Sequence, residues 1–217
     1  MAAHSPARVT RPRRAELLRG IYAILNDAED MLALAEAVLD GGVRILQYRA
    51  KDGIVPDRLR SLRALTRARD ALLIVNDDWR AAEAFDCDGV HLGPGDQGYG
   101  CVATLRRDLR ERLIGCSCAT IDEVRAAAGA DYIGVGSIYA TLSKLDAGPP
   151  IGPARLRAVA QESVAPVAAV GGITPVTLPE IRRSGAAMAA VISAIAGAAA
   201  PRRAAAELVE IWKRGPL

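Results

Sequence analysis

Eight short apolar runs, each closed by polar residues or glycine, alternate with helix-period segments from residue 20 to residue 212. Runs this short and this continuously apolar read as parallel strands buried on both faces. Residues 72–96, LLIVNDDWRAAEAFDCDGVHLGPGD, show the repeating unit. They read as strand, short helix, strand. Polar residues follow each strand: Asn76, Asp77 and Asp78 after the first, residues 91–96 after the second. The segment 79–85 is too short for anything but a crossover helix. Strict alternation over this length argues for an α/β fold of one domain, a (β/α)8 TIM barrel, rather than a doubly wound sheet.

The spacing predicts strands at residues 20–25, 43–48, 72–75, around Val90, 113–117, 132–136, 166–170 and 188–192. Helices are expected at 27–40, 56–71, 79–85, 102–112, 120–128, 153–161, 175–183 and 201–212. Met31, Leu34, Ala35 and Val38 recur at helical spacing, as do Leu59, Leu62, Leu65 and Ala68. Pro56 suits a first helical position, and Gly41-Gly42 suits a helix stop. Residues 1–19 are Arg-rich, with Glu16 as their only acid. They are expected to form a loose N-terminal extension to a catalytic barrel over 20–217.

Composition narrows the function. Half of the 217 residues are hydrophobic, few are aromatic, and the net charge is only +3. That suits a packed α/β core. It gives no reason to expect a nucleic-acid or membrane partner. No apolar run reaches the ~18 residues of a membrane span. The four cysteines, Cys87, Cys101, Cys116 and Cys118, lack zinc or redox spacing and read as reduced thiols of a cytoplasmic protein. Arginine outnumbers lysine 25 to 3, so Lys51 and Lys144, each after an expected strand, stand out for their compact ammonium groups.

The unusual polar clusters all fall after strands, which places them on one face of a barrel. Gln47, Arg49 and Lys51 alternate, so they point the same way from a strand end. Two cations and an amide on one face suit a diphosphate. Asp77 and Asp96, without His or Cys ligands nearby, suit magnesium, which takes one or two carboxylates plus waters and phosphate oxygens. Asp77 or Asp78 could instead cap the helix at Trp79; the reading assigns Asp78 to the cap and Asp77 to the metal. His91 alternates with apolar neighbours and reads as a packed histidine rather than a base. Gly171-Gly172-Ile173 after the seventh strand and Ser193 after the eighth fit the phosphate site common in barrels. The chain therefore offers two anion sites.

Taken in order, these motifs resemble the thiamine-phosphate synthase family, also called thiamine-phosphate pyrophosphorylase. The family's Q-x-R-x-K stands at Gln47-Tyr48-Arg49-Ala50-Lys51 and its N-D pair at Asn76-Asp77. G-V-H-L-G-x-x-D occupies residues 89–96, and G-x-S is Gly115-Cys116-Ser117. T-x-T-K-x-D-A is matched by Thr141-Leu142-Ser143-Lys144-Leu145-Asp146-Ala147, and G-G-I and S-A-I by residues 171–173 and 193–195. The resemblance implies condensation of 4-amino-2-methyl-5-(diphosphooxymethyl)pyrimidine with a thiazole phosphate, giving thiamine phosphate and diphosphate. It also implies a dimer or larger homo-oligomer.

Carried over residue by residue, the resemblance assigns Gln47, Tyr48, Arg49, Ala50, Lys51, Asn76, Ser117 and Lys144 to the pyrimidine diphosphate. Arg49, Lys51, Ser117 and Lys144 are the catalytic residues among these. Asp77 and Asp96 are assigned to magnesium. Thr141, Leu142, Ser143, Gly171, Gly172, Ile192 and Ser193 are assigned to the thiazole phosphate. The chain departs from the family pattern at Asp78, Pro94, Ala119 and Leu142, where Arg, Gln, His and Pro are usual. Two alternatives are a thiazole tautomerase-like barrel, which uses a His near position 119, and a non-catalytic barrel that binds thiamine precursors.

Overall fold

The computed structural model describes residues 10–143 and 148–215. Eight parallel strands close into a barrel in chain order: β1 (Gly20–Asn26), β2 (Ile45–Arg49), β3 (Leu72–Asn76), β4 (Gly89–Leu92), β5 (Leu113–Ser117), β6 (Tyr132–Val135), β7 (Val167–Val170) and β8 (Met188–Val191). β8 pairs with β1, with Ala190 opposite Tyr22, so the expected barrel is formed. Because side chains alternate across each strand, the sequence builds two cores. Tyr22, Ile24, Ile45, Ile74, Leu113, Tyr132 and Met188 fill the interior. Ile21, Ala23, Leu46, Leu73, Val75, Val90, Ile133 and Val135 face the helix layer.

The helices between the strands are α2 (Met31–Asp40), α3 (Pro56–Arg67), α4 (Trp79–Ala84), α5 (Val102–Asp108), α6 (Ile121–Ala126), α7 (Gly152–Glu162) and α8 (Leu178–Arg183); α10 (Pro201–Arg214) packs on α2. Several are shorter than the apolar spacing suggests, for local reasons. α2 starts at Met31 rather than residue 27 because Asp27 belongs to the strand end. Its amide bonds Arg49 O, and its carboxylate takes Tyr48 Oη at 2.9 Å and Arg58 at 2.7 Å. α6 starts after Thr120, which forms a capping box with Glu123. Among the described residues, no helix is long and apolar enough to cross a membrane.

Two short helices were not anticipated. α1 (Arg11–Ala15) corrects the expectation that residues 1–19 are loose throughout. Arg14 is buried, and its guanidinium bonds Asp88 Oδ1 at 2.8 Å and Glu111 O at 2.6 Å. Arg63 grips the same carboxylate from α3 at 2.7 Å, and Leu73 N donates to it at 2.9 Å. Asp88 thus ties α1 and α3 to the amino end of the barrel, opposite the strand ends that carry the polar clusters. Residues 1–9 lie outside the described residues. α9 (Ser193–Ala196) runs directly off β8 and is too short to show periodicity.

Candidate active site

A cleft of about 460 Å³ opens at the carboxyl ends of the strands. The residues the sequence singled out converge there. Gln47, Arg49, Lys51, Asn76, Asp77, Asp96 and Ser117 line its β2–β5 side. Thr141, Ser143, Gly171, Gly172, Ile192 and Ser193 line its β6–β8 side. Three assigned residues do not line it. Tyr48 is fully buried and turns to the helix layer, where its hydroxyl meets Asp27. Strand parity explains this, since Tyr48 sits between the inward-facing Gln47 and Arg49. Ala50 packs against the outer core by the same alternation, and Leu142 projects into solvent, 95% exposed. Lys144 lies outside the described residues.

The β2–β5 side is built on short, fixed supports. Arg49 is opposite Asn26 across the β1–β2 ladder, and its Nη1 donates to Asn26 Oδ1 at 3.1 Å. Asp78 caps α4, accepting from Ala81 N at 2.9 Å, as expected. Asp77 is therefore not the cap. It takes a left-handed conformation, φ 66°, which Asp tolerates better than most residues. Its amide bonds His91 O at 2.9 Å, fixing the turn that delivers its side chain to the cleft. Asp96 sits in the β4–α5 loop, where its Oδ2 accepts from Gly93 N at 2.6 Å.

Beneath them runs a hydrogen-bonded chain from five strands. Gln47 Nε2 donates to Tyr22 Oη at 2.7 Å, and Tyr22 Oη lies 2.9 Å from Tyr132 Oη. Tyr132 Oη lies 3.1 Å from His91 Nδ1, and His91 Nε2 lies 3.0 Å from Ser117 Oγ. Burial pushes both phenols up, Tyr132 well above its ordinary value, so both stay protonated. One ordering satisfies every group: Tyr22 donates to Tyr132, Tyr132 to Nδ1, and Nε2–H to Ser117. The Ser117 proton is then left to donate into the cleft. His91, expected to be a packed residue, is half-buried and also lines the cleft, and its ring stacks on Tyr132 with centroids 5.4 Å apart. Sequence reasoning missed Tyr22 and Tyr132. Their inward parity was visible, but nothing in the sequence pairs residues from β1 and β6.

The β6–β8 side is backbone-built. Gly171 and Gly172 both have positive φ, 101° and 65°. A Cβ on Gly171 would fall 2.1 Å from Ser137 Oγ, and one on Gly172 would fall 2.6 Å from Ala140 O. Only glycine fits, and without a Cβ the backbone there can come close to a bound group. Ser193 opens α9 beside them, the arrangement of phosphate sites in barrels. Ser143 N is held by Thr141 Oγ1 at 3.2 Å.

Fold and cleft define the class: a (β/α)8 barrel with a cleft at the carboxyl ends of its strands, lined by charged side chains on one side and by glycine backbone on the other. The sequence profile of the family described as "Thiamine monophosphate synthase" matches residues 21–195. A thiamine-phosphate synthase of Anaeromyxobacter dehalogenans is 42% identical, over 97% of this chain and 95% of its own length. The chain is 41% identical to the "Thiamine biosynthesis bifunctional protein ThiM/ThiE" of Symbiobacterium thermophilum, spanning 44% of that protein. Among solved structures, the thiamine phosphate pyrophosphorylase of Pyrococcus furiosus superposes with a TM-score of 0.82 at 33% identity, covering 91% of this chain and 96% of that one. The chain belongs to the thiamine monophosphate synthase family.

Proposed function

We propose that this chain joins 4-amino-2-methyl-5-(diphosphooxymethyl)pyrimidine to a thiazole phosphate, releasing diphosphate and forming thiamine phosphate. The observation that carries this reading is one cleft with two walls of different construction. One wall carries charged side chains and the other is close-packed glycine backbone. A diphosphate that must leave suits the first; a phosphate that only anchors suits the second.

Asp77 and Asp96 fit magnesium. Both line the cleft, and among the described residues no group of three or more His, Cys, Asp or Glu could hold a metal. Two carboxylates with room for waters and phosphate oxygens is the donor set that magnesium favours. Magnesium held there supplies Lewis-acid stabilisation of the departing diphosphate.

The chain's own residues do the rest. Arg49 and Lys51 place fixed positive charge where negative charge grows on the leaving diphosphate, and Ser117 donates a hydrogen bond to it. Lys144 has the same role in this reading. Gln47 and Asn76 hold the pyrimidine side. The electron-rich aminopyrimidine supports the methylene cation left when the C–O bond breaks. The thiazole nitrogen then forms the new C–N bond. It is held near that carbon because its phosphate is anchored by the amides at 171–172 and by Ser193, with Thr141, Ser143 and Ile192 around it. No protein nucleophile is required.

Ala119 lines the cleft where a tautomerase-like relative would need its histidine, which favours the synthase. Cysteines without zinc or redox spacing and a mild net charge suit an enzyme that works on small molecules in a reducing compartment. The test is product identity: incubation with both substrates and magnesium, followed by mass spectrometry, yields thiamine phosphate. Diphosphate release without thiamine phosphate would contradict the proposal.

A further inference from the structure

The loop from β4 to α5 carries Asp96 and is rich in glycine. Gly95, Gly98 and Gly100 all take positive φ, 93°, 97° and 73°. Glycine adds backbone freedom, so ordering such a loop is entropically costly. Something must hold the carboxylate in place.

Tyr99 spans the gap. Its amide donates to Asp96 O at 3.1 Å, and its hydroxyl donates to Ser117 O at 2.7 Å. One residue therefore joins the backbone at Asp96 to the end of β5. Asp96 and Ser117 already flank Gly93, where a Cβ would lie 3.5 Å from Asp96 Oδ2 and 3.8 Å from Ser117 Oγ. Tyr99 is partly buried against the outer core and does not line the cleft, so it acts from behind. A second tether ties the loop to α4: Arg80 bonds Gln97 and stacks on Trp79, 4.6 Å from the ring centroid.

We propose that Tyr99 is a positioning residue that holds Asp96 in register with Ser117, so that the carboxylate meets a diphosphate-bound cation without the loop having to be ordered on binding. The inference rests on the reading of Asp96 as a magnesium ligand. Burial pushes Tyr99 up to about 12, which keeps the hydroxyl a donor throughout the working pH range.

The test is calorimetric titration of magnesium into the protein with inorganic diphosphate present, for wild type, Tyr99→Phe, Asp96→Asn and the double variant. Diphosphate-release kinetics accompany it. Losing one neutral hydrogen bond is expected to weaken magnesium affinity in Tyr99→Phe about two- to tenfold. The KM for thiazole phosphate stays unchanged. In the Asp96→Asn background the same change has no further effect, because Tyr99 acts through Asp96. Wild-type affinity in Tyr99→Phe, or an equal loss in both backgrounds, overturns the inference while leaving the metal site standing. A lowered melting temperature with unchanged magnesium affinity makes Tyr99 merely structural and also overturns it. Equal magnesium affinity in wild type and Asp96→Asn removes the metal reading itself, and the inference with it.

Discussion

His91 Nε2 lies 3.0 Å from Ser117 Oγ, and its other nitrogen faces the hydroxyl of Tyr132, so one imidazole links the barrel's buried phenols to the residue assigned to the diphosphate. The link sets which way the serine hydroxyl points. Tyr132→Phe removes the donor to Nδ1 and leaves Tyr22 without its acceptor. We expect kcat/KM for the pyrimidine diphosphate to fall about tenfold, with stability lower by ~1–3 kcal/mol. Steady-state kinetics with either substrate varied will check this, since the KM for thiazole phosphate should not move.

The backbone-amide wall gives a complementary expectation. Gly172→Ala would place a Cβ against Ala140 O and force a left-handed conformation on a residue that resists it. The loss should fall on the thiazole phosphate, with its kcat/KM down more than tenfold while the pyrimidine diphosphate still binds. Ser193→Ala removes one hydrogen bond without strain, so a KM increase of about two- to tenfold at unchanged stability is expected. Separate binding titrations for the two substrates will distinguish the outcomes.

At the opposite end of the barrel, the Asp88 carboxylate bridges two buried guanidinium groups, those of Arg14 and Arg63. Asp88→Ala leaves both without their carboxylate. Breaking a buried ion pair in this way costs ~3–5 kcal/mol. For a chain of this length that lowers the melting temperature by roughly 10 °C. Activity measured well below the transition should persist, because the cleft lies at the other end. Calorimetry paired with an activity assay tests both halves.

The thiols predict an alkaline limit. Burial raises Cys116 to about 11 and both Cys87 and Cys118 to about 12, while Cys101 is exposed. In native protein at pH 8, iodoacetamide should modify Cys101 and spare the other three. Because the folded-state values lie above the unfolded ones, the unfolded chain loses these protons first as pH rises. Stability is then full below about pH 9 and declines from there toward the folded values. Denaturant melts from pH 7 to 10.5 should show that fall.

Much of this architecture is legible in the sequence because barrel strands are short, buried and punctuated. The runs that became β3 and β5 are apolar up to Asn76 and Ser117, and those polar ends are where the cleft begins. The Gln47-Arg49-Lys51 alternation survives folding because parity along one strand is local information. The same parity corrects Tyr48 and Ala50, which a motif copied as a block carries along with its inward-facing neighbours. Contacts between distant strands were not legible. Tyr22 and Tyr132 are 110 residues apart, and only closure of the barrel brings their hydroxyls together. The Arg14–Asp88 pair, 74 residues apart, was hidden for the same reason, inside a segment whose composition suggested a loose arm.

The decisive assay is diphosphate release from the purified protein given both substrates, with and without magnesium, beside an Asp96→Ala variant. Release is expected to need both substrates and magnesium and to collapse in the variant. Release that ignores magnesium and survives Asp96→Ala, or binding of both substrates with no release at all, would contradict the proposed reaction.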